Sequence, residues 1–563
     1  RLLTGRFSRM ITKPKSFQKR LVLIVSGLLL VATQVVMPSA TQAAQVPLNL
    51  DNEQGMLWPC SFNPFNPSSS SYSVGATYET LSFVNSLQSG KVSPWLATGY
   101  AWSKSNKTLT FTIRTGVKWT DGTAFTPADV VYTFNLLKKY PALDLNAVWS
   151  VLSSVTASGS NKVVVNFSKS AVPYFYYIAG QVPIVSQSVW SKIANPVADA
   201  INKPIGTGGY VMSKCTPQNI QWTNNPKYWQ AGKAVIKLVN MPAFLSNDTA
   251  NQYLATGQSQ WGSQFIPSID SYYVKKKVGN TFWFPPVANV AIFPNLTVAP
   301  LNDVAVRKAI SYGIDRAAVN TIGEYGYEPA ANQTGIVAPT FSSWSNSAAV
   351  SSSGKSYDPV KAESLLKADG YAKDSKGIYA KAGKELALTL STNGGYSDWV
   401  AAMQVVATQL GKIGIKVAVT PLAANTFYAN LYAGKYQLAY NAESGGPTPF
   451  YEFRQWLYSK NSAAVGTAAS SNWERFSNPT TDRLLEKYGT TTSTVDQRKI
   501  MNQLQQLLVD KVPVIPVLEE VDWFQYNMKA FTGYPSPSNP YAQPGLYNIP
   551  DWGYVLDNLK PGA

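Results

Sequence analysis

Histidine is absent from all 563 residues. That absence removes Ser-His-Asp and Cys-His catalysis and every zinc site built on imidazole. Cysteine occurs only twice, at Cys60 and Cys215, too few for a four-thiolate metal site. There is no GxxxxGK(S/T) phosphate loop and no GxGxxG after a strand-like run. No cofactor and no metal is therefore expected. Charge is also scarce, at 14% of residues, with Ser, Thr, Asn, Gln and Tyr supplying much of the polarity. The formal charge is +17, but residues 1–44 hold seven basic residues and no acid, so the remainder carries 41 basic against 31 acidic residues, a net +10. That remainder contains no dense Lys/Arg block of the kind nucleic acid binding needs, so no nucleic acid partner is expected. A mildly basic surface that favours solubility accounts for the balance. The chemistry left open is carboxylate-only, such as a glycosidase acid/base pair, which one sequence cannot identify.

What is present points outward from the cell. Basic residues at positions 1–20 precede an apolar run, LVLIVSGLLLVATQVVM (residues 21–37), and small residues at Thr41, Ala43 and Ala44 fit a cleavage site. The expectation is export to the periplasm or the outer cell surface. Retention of the run as an uncleaved tether is the alternative, although it sits near the lower length limit for spanning and contains Ser26, Gly27, Thr33 and Gln34. Export makes disulfides available. Cys60–Cys215 is the sole intramolecular pairing open to this chain, and the sequence leaves its formation undecided.

A length of 563 residues implies two to four domains, and 45% hydrophobic residues suffice for packed cores. Residues 46–57 read as an opening strand region, followed by a Pro/Asn turn (58–67), a Ser-rich loop and a helical stretch at 74–87. KTLTFTIR (107–114) and NKVVVNF (161–167) alternate with period two and read as strands. Helices are expected at 130–139, 304–314, 359–367 and 399–414, the last with Val405, Val406, Leu410 and Ile413 on its buried face. Strands flank that last helix, an order that gives a mixed α/β sheet. Residues 342–356 are Ser-rich and read as a surface loop. Within 117–134, VKWTDGTAFTPADVVYTF, Asp121-Gly122 reads as a tight turn. Thr126 is the expected helix N-cap, Pro127 its first residue and Asp129 the third position of a capping box.

Several segments together resemble the extracellular solute-binding proteins of peptide- and oligosaccharide-importing ABC transporters, the oligopeptide- and dipeptide-binding family. They are residues 109–134, PIGTGGYV with NNPKYW (204–229), PLNDVAVRKAISYGIDR (300–316), YDPVKAESLLKADGY (357–371) and QVVATQLGKIGIKV (404–417), in the family's order. GTGGY stands where the family usually has GTGPY, a change confined to a turn. The resemblance implies an α/β, two-lobed periplasmic-binding-protein fold of type II, with an extra α+β domain on lobe one. Lobe one is expected at 45–90, 203–288 and 525–563, the extra domain at 91–202 and lobe two at 289–524. It also implies a monomeric, non-enzymatic receptor that closes over a solute and docks on membrane permease subunits. The capping segment then lies away from the ligand cleft.

The aromatic share of 12%, with 16 Trp, 32 Tyr and 22 Phe, suits sugar rings, whose C–H edges pack on aromatic faces. Residues 257–270, 394–402, 444–453 and 523–544 look more like the cello-oligosaccharide branch of the family than the peptide branch. An oligopeptide ligand is the alternative, and its ammonium demands a buried carboxylate. Glu443 lies where peptide binders place one. Candidate contacts are Trp261, Gln264 and Phe265 in a polar-aromatic loop that faces the cleft in relatives. Trp399 is a further candidate, at a helix start where Ser397 or Asp398 would cap, as are Asn63 and Phe65 in the NPFNP turn and Trp523 and Tyr526 near the return to lobe one. The plainer reading of each aromatic is core packing, of Asn63 turn chemistry, and of Arg475 a surface ion pair.

Overall fold

The computed structural model describes residues 46–562. The apolar run at 21–37 and its cleavage site lie outside the described residues. Three large sheets organise the described chain. The first has seven strands in the order Asn280–Phe282, Gln525–Asn527, Trp261–Gly262, Leu48–Asp51, Leu238–Pro242, Asn219–Asn224 and Tyr210–Thr216. The short central strand Leu48–Asp51 runs parallel to both its neighbours, and Leu48, Leu50, Trp222, Val239, Met241 and Trp552 fill the core around this sheet.

The second sheet orders Lys416–Leu422, Ala387–Asn393, Leu438–Ala442, Pro286–Pro294 and Ile515–Val521. Its first three strands are mutually parallel and the rest antiparallel. The helix Ser397–Lys412 provides the crossover, burying Ala402, Met403, Val406 and Leu410; a parallel pair requires such a connection. The third sheet is an antiparallel meander-like set, Ala97–Trp102, Thr108–Ile113, Lys162–Phe167 and Leu152–Ser158. Leu109, Phe111, Val163 and Val165 alternate onto its inner face and meet Val130 and Phe134 of the helix Pro127–Lys139.

The chain passes between the first two sheets twice, and the two passages hydrogen-bond to each other. Trp283 N donates to Phe524 O at 2.9 Å and Asp522 N to Pro285 O at 2.8 Å. Phe282 pairs with Gln525 on one side and Pro286 with Val521 on the other. A two-stranded antiparallel ribbon thus joins the sheets, as a hinge requires. Cys60 and Cys215 are bonded across 155 residues of chain, tying the loop after the first strand to the edge strand Tyr210–Thr216.

Two local expectations are corrected. Residues 74–87 hold no α-helix: Ser82–Asn85 is a strand paired with Lys91–Pro94, and only a short 3-10 turn, Ser86–Gln88, follows it. Residues 72–86 are all buried, so no polar face exists for an amphipathic helix. Residues 342–356 are not a loop throughout, because Ser347–Ser353 is a helix with Asn346 as N-cap, its side chain accepting from Ala348 N. Burial of Ala349 and a Gly354 stop at φ +67° complete it.

Candidate functional site

Between the sheets lies a cavity of about 540 Å³. Glu53 and Tyr72 line it from one side, Tyr396, Trp399, Tyr428 and Glu443 from the other, Tyr176 from the third-sheet region, and Glu520 and Trp523 from the hinge ribbon. Local sequence explains much of this. Glu53 and Gln54 follow directly from the strand Leu48–Asp51. Tyr428 and Tyr432 are one turn apart on the helix Ala424–Ala433, with ring centroids 6.0 Å apart. Glu443 follows the last residue of Leu438–Ala442.

The two sides touch. Asn247 Nδ2 donates to Asp398 Oδ1 at 2.9 Å, and Asn247 N donates to Gly395 O at 3.2 Å. A Cβ on Gly395 would lie 2.6 Å from Gly55 Cα, so glycine is needed where the two backbones meet. This is the closed arrangement.

Four carboxyl groups line the cavity, Glu53, Asp398, Glu443 and Glu520, and no Lys or Arg does so among the described residues. Asp398 accepts from Asn247, and backbone N–H groups at the start of its helix also reach it; burial still pushes it up to about 6. Glu53 is 2% exposed and is reached by the backbone N–H of Gly55, which holds it down somewhat; Glu443 is 5% exposed and neither of its oxygens accepts a hydrogen bond. Burial raises both well above the usual carboxylate range. Asp398 and Asp51 add repulsion at Glu53, as Glu474 and Glu452 do at Glu443. Glu520 is raised by burial and by Asp522 and Glu452.

Of the residues singled out from sequence, Gln264, Phe265, Trp399, Glu443 and Trp523 line the cavity. Gln264 Nε2 donates to Asp51 Oδ2 at 3.2 Å, and Phe265 meets Trp523 edge-on at 5.8 Å. Trp399 packs edge-on against Tyr440 at 5.4 Å while bordering the space. The other four are not brought to it. Asn63 holds a turn, donating to Pro196 O and Asp199 O, each at 2.9 Å. Phe65 packs on Trp190. Trp261 and Tyr526 are register partners inside the first sheet; Trp261 donates to Pro544 O and Tyr526 stacks on Phe524 at 4.2 Å. Two smaller expectations also change. Tyr396, not Ser397 or Asp398, occupies the cap position of Ser397–Lys412. Arg475 forms no surface ion pair among the described residues and instead donates to the carbonyls of Trp473, Tyr432 and Thr467.

Sequence reasoning missed Glu53, Tyr428, Tyr432 and Glu520. The signal for Glu520 was present: VLEEVDWF places two acids inside a strand of Val and Leu and a third directly after it, and acids in a buried strand are rarely there for stability.

Two α/β lobes joined by a hinge ribbon and closed over a cavity define a solute-binding protein of the periplasmic-binding-protein type. The chain belongs to the bacterial extracellular solute-binding proteins, family 5, whose model matches residues 91–464; these are binding receptors of ABC importers, not enzymes. It is similar to the mannohexaose-bound crystal structure of a periplasmic oligopeptide-binding protein from Thermotoga maritima. That similarity has a TM-score of 0.86 and 25% identity, and covers 92% of this chain and 98% of that one. It is 25% identical to a glutathione-binding protein of Salmonella paratyphi A, over 83% of this chain and 86% of that one. It is 24% identical to the nickel-binding periplasmic protein of Escherichia coli, over 69% of this chain and 75% of that one.

Proposed function

We propose that this receptor captures an oligosaccharide of the cello-oligosaccharide kind between its lobes and delivers it to the permease of an ABC importer. The cavity's composition carries the reading: tyrosine and tryptophan rings, amide side chains and carboxyl groups, with no Lys or Arg among the described lining residues. Aromatic faces pack on sugar C–H edges, and amides and carboxyls accept hydroxyl hydrogen bonds. A peptide, the alternative ligand, brings a terminal carboxylate that would meet no cation here, although Glu443 is available to its ammonium. The mannohexaose held by the Thermotoga relative supports the sugar reading. We read lobe one as 45–90, 203–288 and 525–563, the extra domain as 91–202 and lobe two as 289–524, with an exported location. Gln264, Phe265, Trp399, Glu443 and Trp523 are the contacts carried forward; Asn63, Phe65, Trp261 and Tyr526 are scaffold. Bound solute stabilises the closed state through contacts that exist only there.

A thermal-shift panel tests this. A cello-oligosaccharide at 100 times its Kd should add about 2.7 kcal/mol of stability. If short peptides raise the Tm while cello- and xylo-oligosaccharides leave it unmoved, the sugar reading is wrong.

A further inference from the structure

We infer that Tyr451 and Arg454 form a clasp across the cleft, which holds the closed receptor together at a point that touches no solute. They are positioning residues, and the clasp sets how long the closed state lasts.

Chain connectivity places this contact across the cleft. The third sheet and the segment 172–180 that follows it are inserted between the first-sheet strands Leu48–Asp51 and Tyr210–Thr216. The helices Pro449–Leu457 and Pro479–Thr490 are inserted between the second-sheet strands Leu438–Ala442 and Ile515–Val521. The hinge ribbon is the covalent route from one set to the other. A contact between the two sets therefore breaks when the hinge opens.

The contact is closely built. Tyr451 Oη donates to Pro173 O at 2.8 Å, and its ring meets Tyr176 edge-on at 4.7 Å and Tyr177 at 5.3 Å. One turn further along the same helix, the Arg454 guanidinium carbon lies 5.0 Å from the ring centroids of both Tyr174 and Tyr177. Tyr458, on its own side, lies at the same distance. Gly489 of the second helix lets Tyr174 approach, since a Cβ there would lie 2.7 Å from that ring. Tyr174, Tyr177, Tyr451 and Arg454 are all buried.

The chemistry suits a contact that is made and broken. Arg454 forms no ion pair with a carboxylate among the described residues. Asp144 is near enough to feel it, but its oxygens accept from Val148 N at 2.9 Å and Trp149 N at 3.0 Å. Ring faces hold the cation instead, a role that the planar guanidinium fills better than an ammonium. Phenols and a guanidinium each have a polar end that water accepts when the cleft opens, whereas an aliphatic contact of this size would favour permanent closure. Tyr176 lines the cavity, while Tyr451 and Arg454 do not. A solute resting on Tyr176 and the clasp thus hold the same segment.

Stopped-flow fluorescence from Trp399 and Trp523, both in the cavity wall, can follow release of cellotriose and, in parallel, of trialanine. The choice of cellotriose rests on the oligosaccharide reading above; the clasp itself does not. Arg454→Met is expected to raise the dissociation rate roughly tenfold and Tyr451→Phe roughly fivefold, with association rates within about twofold of wild type. Arg454→Lys keeps the charge without the planar stack and should fall between wild type and Arg454→Met. Val163→Ala, in the third-sheet core, should lower the Tm and leave dissociation unchanged. Unchanged dissociation in Arg454→Met and Tyr451→Phe, or an equal rise in Val163→Ala, overturns the clasp. Binding of trialanine without binding of cellotriose overturns the oligosaccharide reading, and the same rate comparison on trialanine then upholds or overturns the clasp.

Discussion

Asp129 and Glu443 are both acids buried to about the same depth, 6% and 5% exposed, and they do opposite things. Asp129 sits at the start of the helix Pro127–Lys139 with each oxygen engaged: Oδ2 accepts from Thr126 N at 2.9 Å and Oδ1 from Gln187 N at 2.9 Å. One carboxyl thereby closes a capping box and ties that helix to the start of the short helix Gln187–Trp190. Glu443 borders the cavity with both oxygens unpaired. Burial alone therefore does not mark function. Lack of a partner does not mark function either, since Glu324, Glu328 and Glu474 also leave both oxygens unpaired and do not line the cavity; what sets Glu443 apart is its place in the cavity wall.

The comparison can be broken by substitution. Asp129→Ala leaves two backbone N–H donors without their charged acceptor, at about 1.5–3 kcal/mol each, so a loss near 3 kcal/mol in urea unfolding is expected while ligand affinity stays unchanged. Lost affinity in a folded Asp129→Ala protein would contradict the division. Glu443→Gln should do the reverse. It removes a carboxyl whose charged form burial disfavours, so unliganded stability holds or rises, while ligand affinity measured by calorimetry falls roughly tenfold, about 1.4 kcal/mol.

The pH dependence of unliganded stability sharpens the same contrast. Glu452 is pushed by burial up to about 8, Asp522 and Glu519 to about 7, and Asp398 to about 6. A raised folded pKa means the native state binds more protons than the unfolded chain between the ordinary carboxyl value and the raised one. Stability therefore falls as pH rises through that window. The Tm of the unliganded protein should be higher at about pH 5 than at about pH 8. The surface carboxyls held low, Glu363 by Tyr379 and Lys373 and Asp369 by Lys381, act below that range and do not offset it. A Tm that climbs steadily from pH 5 to 8 would mean these four acids are not buried as described. The smallest effect expected is at Thr126, where Thr126→Ala should cost about 1 kcal/mol or less, because Asp129 supplies the hydrogen bond that holds the turn.

Much of the scaffold was legible in the chain. Period-two alternation located Thr108–Ile113 and Lys162–Phe167, and a 3.6-residue period located Ser397–Lys412, because one face of each is buried and the other wet. The stretch at 74–87 failed for the complementary reason: with residues 74–86 all buried, neither period is imposed. In the cavity the limit was which way side chains point. Trp261 and Phe265 lie four residues apart in one segment, yet the first is sealed inside the first sheet and the second borders the cavity. Similarly Trp523 meets the ligand space while Tyr526 stacks on Phe524.

Composition and motif order by themselves determined that imidazole chemistry is unavailable and that the chain is an α/β receptor scaffold. The first depends only on which residues exist; the second rests on the resemblance of ordered segments to the family. Tertiary structure alone decided which acids face the ligand. Glu53, Asp398, Glu443 and Glu520 lie 345, 45 and 77 residues apart in succession and line one cavity from different sides. Whether a carboxyl is satisfied or left open depends on donors that only folding brings within reach.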